Sequence, residues 1–133
     1  MLLRKNVNSK KISKNLLIYS SCIDDDFPEF LEKFNGYTKL KVCLEEHHIN
    51  PILRKIIAIA YKRNIKKIIA LTVDGSPHCI QLHFALEEVK RYFNLQTEHY
   101  VIEKGELVKI SEDSVKISRH LNIIEKICPK TMK

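Results

Sequence analysis

One turn of the chain gathers a carboxylate, a hydroxyl, an imidazole and a thiol: Asp74-Gly75-Ser76-Pro77-His78-Cys79, with His83 four residues past Cys79. The run before it, from Ile68 to Val73, is continuously apolar, as a buried strand would be. It gives way at Asp-Gly to turn chemistry and then to 3.6-residue spacing. Ser76 reads as the N-cap of a helix and Pro77 as its first residue, where a missing N–H costs nothing. That places His78 and Cys79 among the unpaired N–H groups of a first helical turn, at the positive end of its dipole, where a thiol is biased toward thiolate. Cys79 and His83 then share a helix face. Cys79, His78 and Asp74 are the candidates for catalysis, with His78 or His83 as the base that would serve a Cys79 nucleophile. Gly75 and Ser76, at the helix start, are the candidates for holding a phosphate or carboxylate.

To position such a turn the chain must supply a sheet, and the rest of the sequence reads that way. Asn15 to Ser20 is a short apolar run ending in Ser-Ser-Cys, a buried first strand with Cys22 at its carboxyl end. Asp24, Asp25 and Asp26 follow and suit a helix N-terminus; Pro28 opens that helix, Phe27, Leu31 and Phe34 fall at helical spacing, and Asn35-Gly36 stops it. Lys39 to Glu45 alternates as a second strand near a sheet edge, with Cys43 inside it as a small core residue. Glu45, Glu46, His47 and His48 lie at its carboxyl end, before Asn50-Pro51 caps a helix with a wide apolar face. The third strand and the organising turn come next, then a helix from Pro77 to about Phe93. Gln96 to Glu103 is a fourth strand, turned by Lys104-Gly105 into a short fifth, Leu107 to Ile110. Ser111 caps a last helix running through Val115, Leu121 and Ile124 and ended near Pro129.

Strands alternating with capped helices predict a three-layer α/β sandwich around a mainly parallel sheet of order 2-1-3-4, plus a C-terminal hairpin strand. The winding then reverses between the first and third strands and opens a crevice above their carboxyl ends. Cys22 and the Asp74 to Cys79 turn are expected to share that crevice, with His47 and His48 one strand away.

The chain has 133 residues, six histidines, four cysteines and a net charge of +7. Its length predicts one domain, 15–128, between a flexible basic leader, 1–14, and a tail, 129–133. Five basic residues, Arg4, Lys5, Lys10, Lys11 and Lys14, precede Asn15, and three more, Lys126, Lys130 and Lys133, fall in the last eight positions. The body between is near neutral, so the charge describes solvated ends and argues against a nucleic-acid partner. Arg54, Lys55, Lys62, Arg63, Lys66 and Lys67 are the nearest approach to a basic patch. No apolar stretch reaches the roughly 20 residues of a membrane span, and no apolar segment of secretory type follows Leu2-Leu3, which leads to an expectation of cytoplasmic location. The cysteines lack C-x-x-C spacing, so neither a disulfide framework nor a local zinc ribbon is written. A homodimer is compatible with all of this.

A metal site would have to be assembled in space, and Cys22, Cys79, His78 and His83 offer the ligands that zinc or iron prefers. Cys22 and Asp24, with Gly75 and Ser76, complete the residues expected around a cofactor. Cys43, Cys128, His99 and His120 read as packing residues. Cys22-Ile23-Asp24 after the first strand and a His/Cys pair after the third resemble the layout of β-class carbonic anhydrases. The resemblance implies a zinc held by two cysteines and a histidine, with the aspartate paired to an arginine. Two positions depart from it: Asp26 stands where the arginine would be, and His78 and Cys79 are adjacent rather than spaced by two. The segment from Thr72 to His83 also resembles one in small proteins associated with iron–sulfur ferredoxins.

Overall fold

The structure, a computed structural model, describes residues 1–128; the expected tail, 129–133, and the stop at Pro129 lie outside the described residues. Five strands, β1 (Asn15–Ser20), β2 (Thr38–Val42), β3 (Lys67–Val73), β4 (Gln96–Glu103) and β5 (Glu106–Ile110), form one sheet of order β2-β1-β3-β4-β5. The first four are parallel and β5 is antiparallel to β4. Lys104 and Gly105 join the last two strands with φ of 51° and 76°, the paired positive values that match a tight hairpin turn to strand twist. The predicted order, hairpin and layering are those observed.

Strand alternation sorts the sheet into two faces. Leu16, Ile18, Leu40, Ile68 and Ala70 meet Ile52, Ile56 and Ile59 of α2 (Ile49–Arg63) and Leu82, Leu86 and Val89 of α3 (Ile80–Tyr92). On the other face Leu17, Tyr19, Ile69, Leu71 and Ile102 meet Ile23 of α1 (Cys22–Asp26) and Phe30 and Phe34 of a 3-10 segment, Pro28–Phe34. Asn64 ends α2 in the left-handed region, φ 51°, and returns the chain to β3.

Four local expectations are corrected. The basic leader does not hang free: Leu2 and Ile12 are buried in the core beside α2, and the Ser13 N–H donates to Thr38 Oγ1 at 2.8 Å. Leu3 and Val7 pack against the same cluster, so the apolar side chains of this stretch hold it to the domain. The last helix is two, α4 (Glu112–Ile117) and α5 (Leu121–Ile127). The break falls where the Ser118 hydroxyl donates back to the Val115 carbonyl at 2.6 Å, competing with helix continuation, and His120 turns extended. His48, not Asn50, precedes α2, and Cys43 lies just past β2 rather than inside it. Among the described residues no helix is long and apolar enough to cross a membrane.

Candidate functional site

The turn after β3 departs from the sequence reading by three residues. Helix α3 begins at Ile80, so Cys79 is its cap residue rather than a member of its first turn. Ser76 still acts as a cap one turn earlier: its Oγ accepts from the Cys79 N–H at 3.2 Å. Gly75 turns the chain at φ 92° with open space around the position a Cβ would take. Gly75→Ala is therefore expected to cost ~1 kcal/mol through backbone conformation alone, read as a lower midpoint in urea unfolding with an unchanged slope.

This turn is a partition. Sequence reasoning drew one crevice; the structure has two, on either side of the loop. The first, about 300 Å³, lies over the carboxyl ends of β1, β2 and β3 where the winding reverses, and is lined by Cys22, Cys43, Cys79, Ser20, Ser76 and Glu45 among others. Cys22 and Cys79 meet here as expected, joined by Cys43, which the sequence reading set aside as core. All three are free thiols. Burial pushes the Cys79 thiol up, only partly offset by hydrogen bonds from Ser76 and Ser20, and the neighbouring Cys22 and Cys43 add to the rise. The expected low-pKa Cys79 is thus corrected: it stands outside the first helical turn, and its half-buried thiol loses more to desolvation than it gains from its hydrogen bonds.

The other sequence candidates disperse. His78 is exposed on the outside of the turn, and Asp24 faces away, accepting from the Tyr19 hydroxyl at 2.9 Å and pairing with Lys41 at 3.1 Å. Burial first, and Asp24 second, raises the Tyr19 phenol to about 12. His47 is 4.0 Å from Glu46, and neither His47 nor His48 lines a crevice with the thiols. Among the described residues no three His, Cys, Asp or Glu side chains are grouped so as to hold a metal ion.

The second pocket is the larger, about 390 Å³, and lies between β3, β4, β5, α3 and α4. Val73, Pro77, Ile80, Val101, Ile110 and Val115 give it apolar walls, Asp74, Gly75, Ser76, Ser114 and Ser118 add polar groups, and Thr72 and His83 line it from the buried side. Among the described residues neither Lys nor Arg lines it.

Behind that wall runs a chain of polar groups on one face of the sheet. The register β3 to β4 pairs Ile68 with Thr97, Ala70 with His99 and Thr72 with Val101, so Thr72, Thr97 and His99 all point toward α3. Thr72 Oγ1 is 2.8 Å from His83 Nε2, His83 Nδ1 is 2.9 Å from His99 Nδ1, and His99 Nε2 is 2.7 Å from Glu87 Oε2. The Thr97 hydroxyl also donates to Glu87 Oε2 at 2.9 Å, and Lys90 pairs with Glu112 beside it. His83 and His99 are 4 % and 0 % exposed, so this is interior, not surface, chemistry. Burial, then the neighbouring His99, lowers His83 to about 3. With both ring nitrogens engaged, His83 is withdrawn from the metal set in which the sequence placed it.

Thr72, Glu87 and His99 are the residues sequence reasoning missed. The signal was present in part: His83 and Glu87 are four apart on α3, and β4 carries polar side chains on the face that alternation turns inward.

A doubly wound α/β sheet with ligand-sized spaces at the carboxyl ends of its strands defines the class of protein. A family model described as a Rossmann-like domain matches residues 11–133, and the chain belongs to that family. No curated protein and no solved structure matches the chain.

Proposed function

We propose that this domain binds a small, mostly apolar, uncharged molecule in the 390 Å³ pocket beside β3. The observation that carries the reading is the composition of that pocket: aliphatic walls, hydroxyls that fix orientation, and a buried Thr72–His83 pair on its inner side, the usual make-up of a small-molecule site. A nucleotide or other anion at the Gly75-Ser76 turn is less well served, because Asp74 lines the same space and, among the described residues, no Lys or Arg does. Nucleic acid is not the partner we infer, since Lys67, from the nearest basic patch, is paired with Glu98 at 2.7 Å.

Indole is a suitable neutral probe, with a Kd on the order of 1 mM expected for a ligand of this size. Titration of labelled protein should shift the amides of residues 72–80 and 114–118 in NMR spectra. Ser114→Trp, which fills the pocket, should abolish those shifts. Shifts confined to the surroundings of Cys22 and Cys43, or unaffected by Ser114→Trp, would place binding elsewhere.

A second reading rests on the meeting of Cys22, Cys43 and Cys79 in one crevice. Thiols so gathered support redox chemistry at Cys79, or zinc or iron of the kind the carbonic-anhydrase and ferredoxin-associated resemblances imply. As the side chains stand they do not fit a metal ion, so no metal chemistry follows from the present geometry. Elemental analysis of untagged wild type and Cys79→Ser decides it: stoichiometric zinc or iron lost on substitution supports a metal centre, and metal-free protein removes that arm of the reading.

A further inference from the structure

We propose that Thr72, His83, His99 and Glu87 form a proton relay that lets the pocket draw a proton from its bound molecule and deliver it to a carboxylate one turn further along α3. The inference rests on the pocket reading above for the molecule that gives up the proton; the relay itself rests on four side chains and three contacts.

With Glu87 ionised and both imidazoles neutral, the contacts admit one consistent assignment of protons. Glu87 as a carboxylate only accepts, and it already takes the Thr97 hydroxyl, so His99 Nε2, 2.7 Å from Glu87 Oε2, must carry a hydrogen. In a neutral ring His99 Nδ1 is then bare, and it must accept from His83 Nδ1 at 2.9 Å. His83 Nε2 is bare in turn and accepts from the Thr72 hydroxyl at 2.8 Å. Every donor in the chain points from the pocket toward Glu87. The reverse assignment would set a bare His99 nitrogen against the carboxylate, two acceptors face to face in a dry interior, which is costly.

This direction has a consequence for the pocket. As a molecule there surrenders a proton to Thr72 Oγ1, the Thr72 proton passes to His83 Nε2, the His83 Nδ1 proton to His99 Nδ1, and the His99 Nε2 proton to Glu87. The molecule is left as an anion, Glu87 as a carboxylic acid, and both imidazoles neutral in their opposite tautomers. Neither ring need hold the charge that its burial opposes. Glu87 also borders a separate surface hollow formed with Arg91, Lys116 and Arg119, through which the carboxyl can exchange its proton with water. The class of molecule suited to the relay is small and neutral with one weakly acidic proton, on carbon, oxygen or nitrogen.

The test has two readouts. Ring nitrogen spectra of uniformly labelled protein at pH 7 should show His83 as the Nδ1–H tautomer and His99 as the Nε2–H tautomer. His83 as Nε2–H overturns the relay whether or not anything binds in the pocket. The second readout is base-promoted ring opening of 5-nitrobenzisoxazole, a flat neutral probe. Its one acidic C–H proton leaves as the N–O bond breaks, and the product is the coloured cyanonitrophenolate. Wild type should open the ring at least tenfold faster than Thr72→Val and Glu87→Gln. Glu87→Gln keeps an acceptor for His99 but cannot store the proton, and Glu87 does not line the pocket, so a purely structural role would leave the rate unchanged. Equal rates in all three proteins, with the probe bound as judged by shifts of the Gly75 and Ser76 amides, would overturn the relay while leaving the pocket standing. Absence of those shifts would remove the pocket reading, and the tautomers alone would then decide the relay.

Discussion

Leu86→Ala is expected to lower the unfolding free energy by ~2–5 kcal/mol, the range for removing a fully buried leucine from a packed core. Leu86 is 0 % exposed and sits on α3 with Leu82 and Val89, in the cluster that also holds Ile18, Ile68 and Ala70 of the sheet. These three aliphatics hold α3 against β3 and β4, and His83 stands between two of them on the same helix. Truncation should therefore loosen the His83 contacts to Thr72 and His99 as well as open a cavity. Urea unfolding measures the first effect, and broadening of the His83 ring signals measures the second. A loss below about 1 kcal/mol with sharp ring signals would mean that α3 is not held by this cluster.

Acid is the second strong lever, through His83. Burial and His99 keep its pKa at about 3 in the folded chain, against about 6.5 for an unperturbed histidine in the unfolded one. Between those values the unfolded chain takes up a proton that the folded chain refuses, so stability falls as pH falls. The contribution is intact above pH 6.5, and about 2 kcal/mol of it is lost between pH 7 and pH 5. That interval lies above the range where ordinary carboxylates titrate, which separates His83 from Glu98 and Glu112, both held low, the latter chiefly by Lys90. Urea midpoints at pH 7, 6 and 5 should decline for wild type and stay nearly level for His83→Gln. A level curve for wild type, or an equal slope in the variant, would show that His83 is not neutral in the fold.

Glu98 and Lys67 show how closely the polar parts of this sheet are matched on its other face. Burial opposes the Glu98 charge, yet the Lys67 ammonium at 2.7 Å holds its carboxyl below the usual range, and Glu98 in turn raises Lys67. Tyr100 donates to the same carboxylate at 3.2 Å. The two faces of β4 therefore carry two separate networks, Glu98 and Tyr100 outward toward Lys67, Thr97 and His99 inward toward α3.

The sequence by itself determined the layers, the strand order and the C-terminal hairpin of this protein. Those follow from periodicity, capping and chain direction, which act over a few residues at a time: an apolar run closed by Asp-Gly, a helix begun after Ser76, a hairpin turned by Lys104-Gly105. It also brought Cys22 and Cys79 to one end of the sheet, because strand ends follow from strand order. Only the tertiary structure decided which side chains meet. His99 looked like packing because its partners, His83 and Glu87, lie on a helix 16 and 12 residues earlier, and nothing local marks a β4 position as lying opposite an α3 one. Cys43 joined the thiols through a strand that ended at Val42, three residues sooner than alternation suggested. The turn after β3 offered its residues to two spaces instead of one, α3 starts three residues later than expected, and the packing of the helix buries His83 while His78 stays exposed and Cys79 half-buried. Register across strands and rotation of a helix on its sheet are set by the fit of the whole core, where a shift of one residue reverses the face a side chain takes.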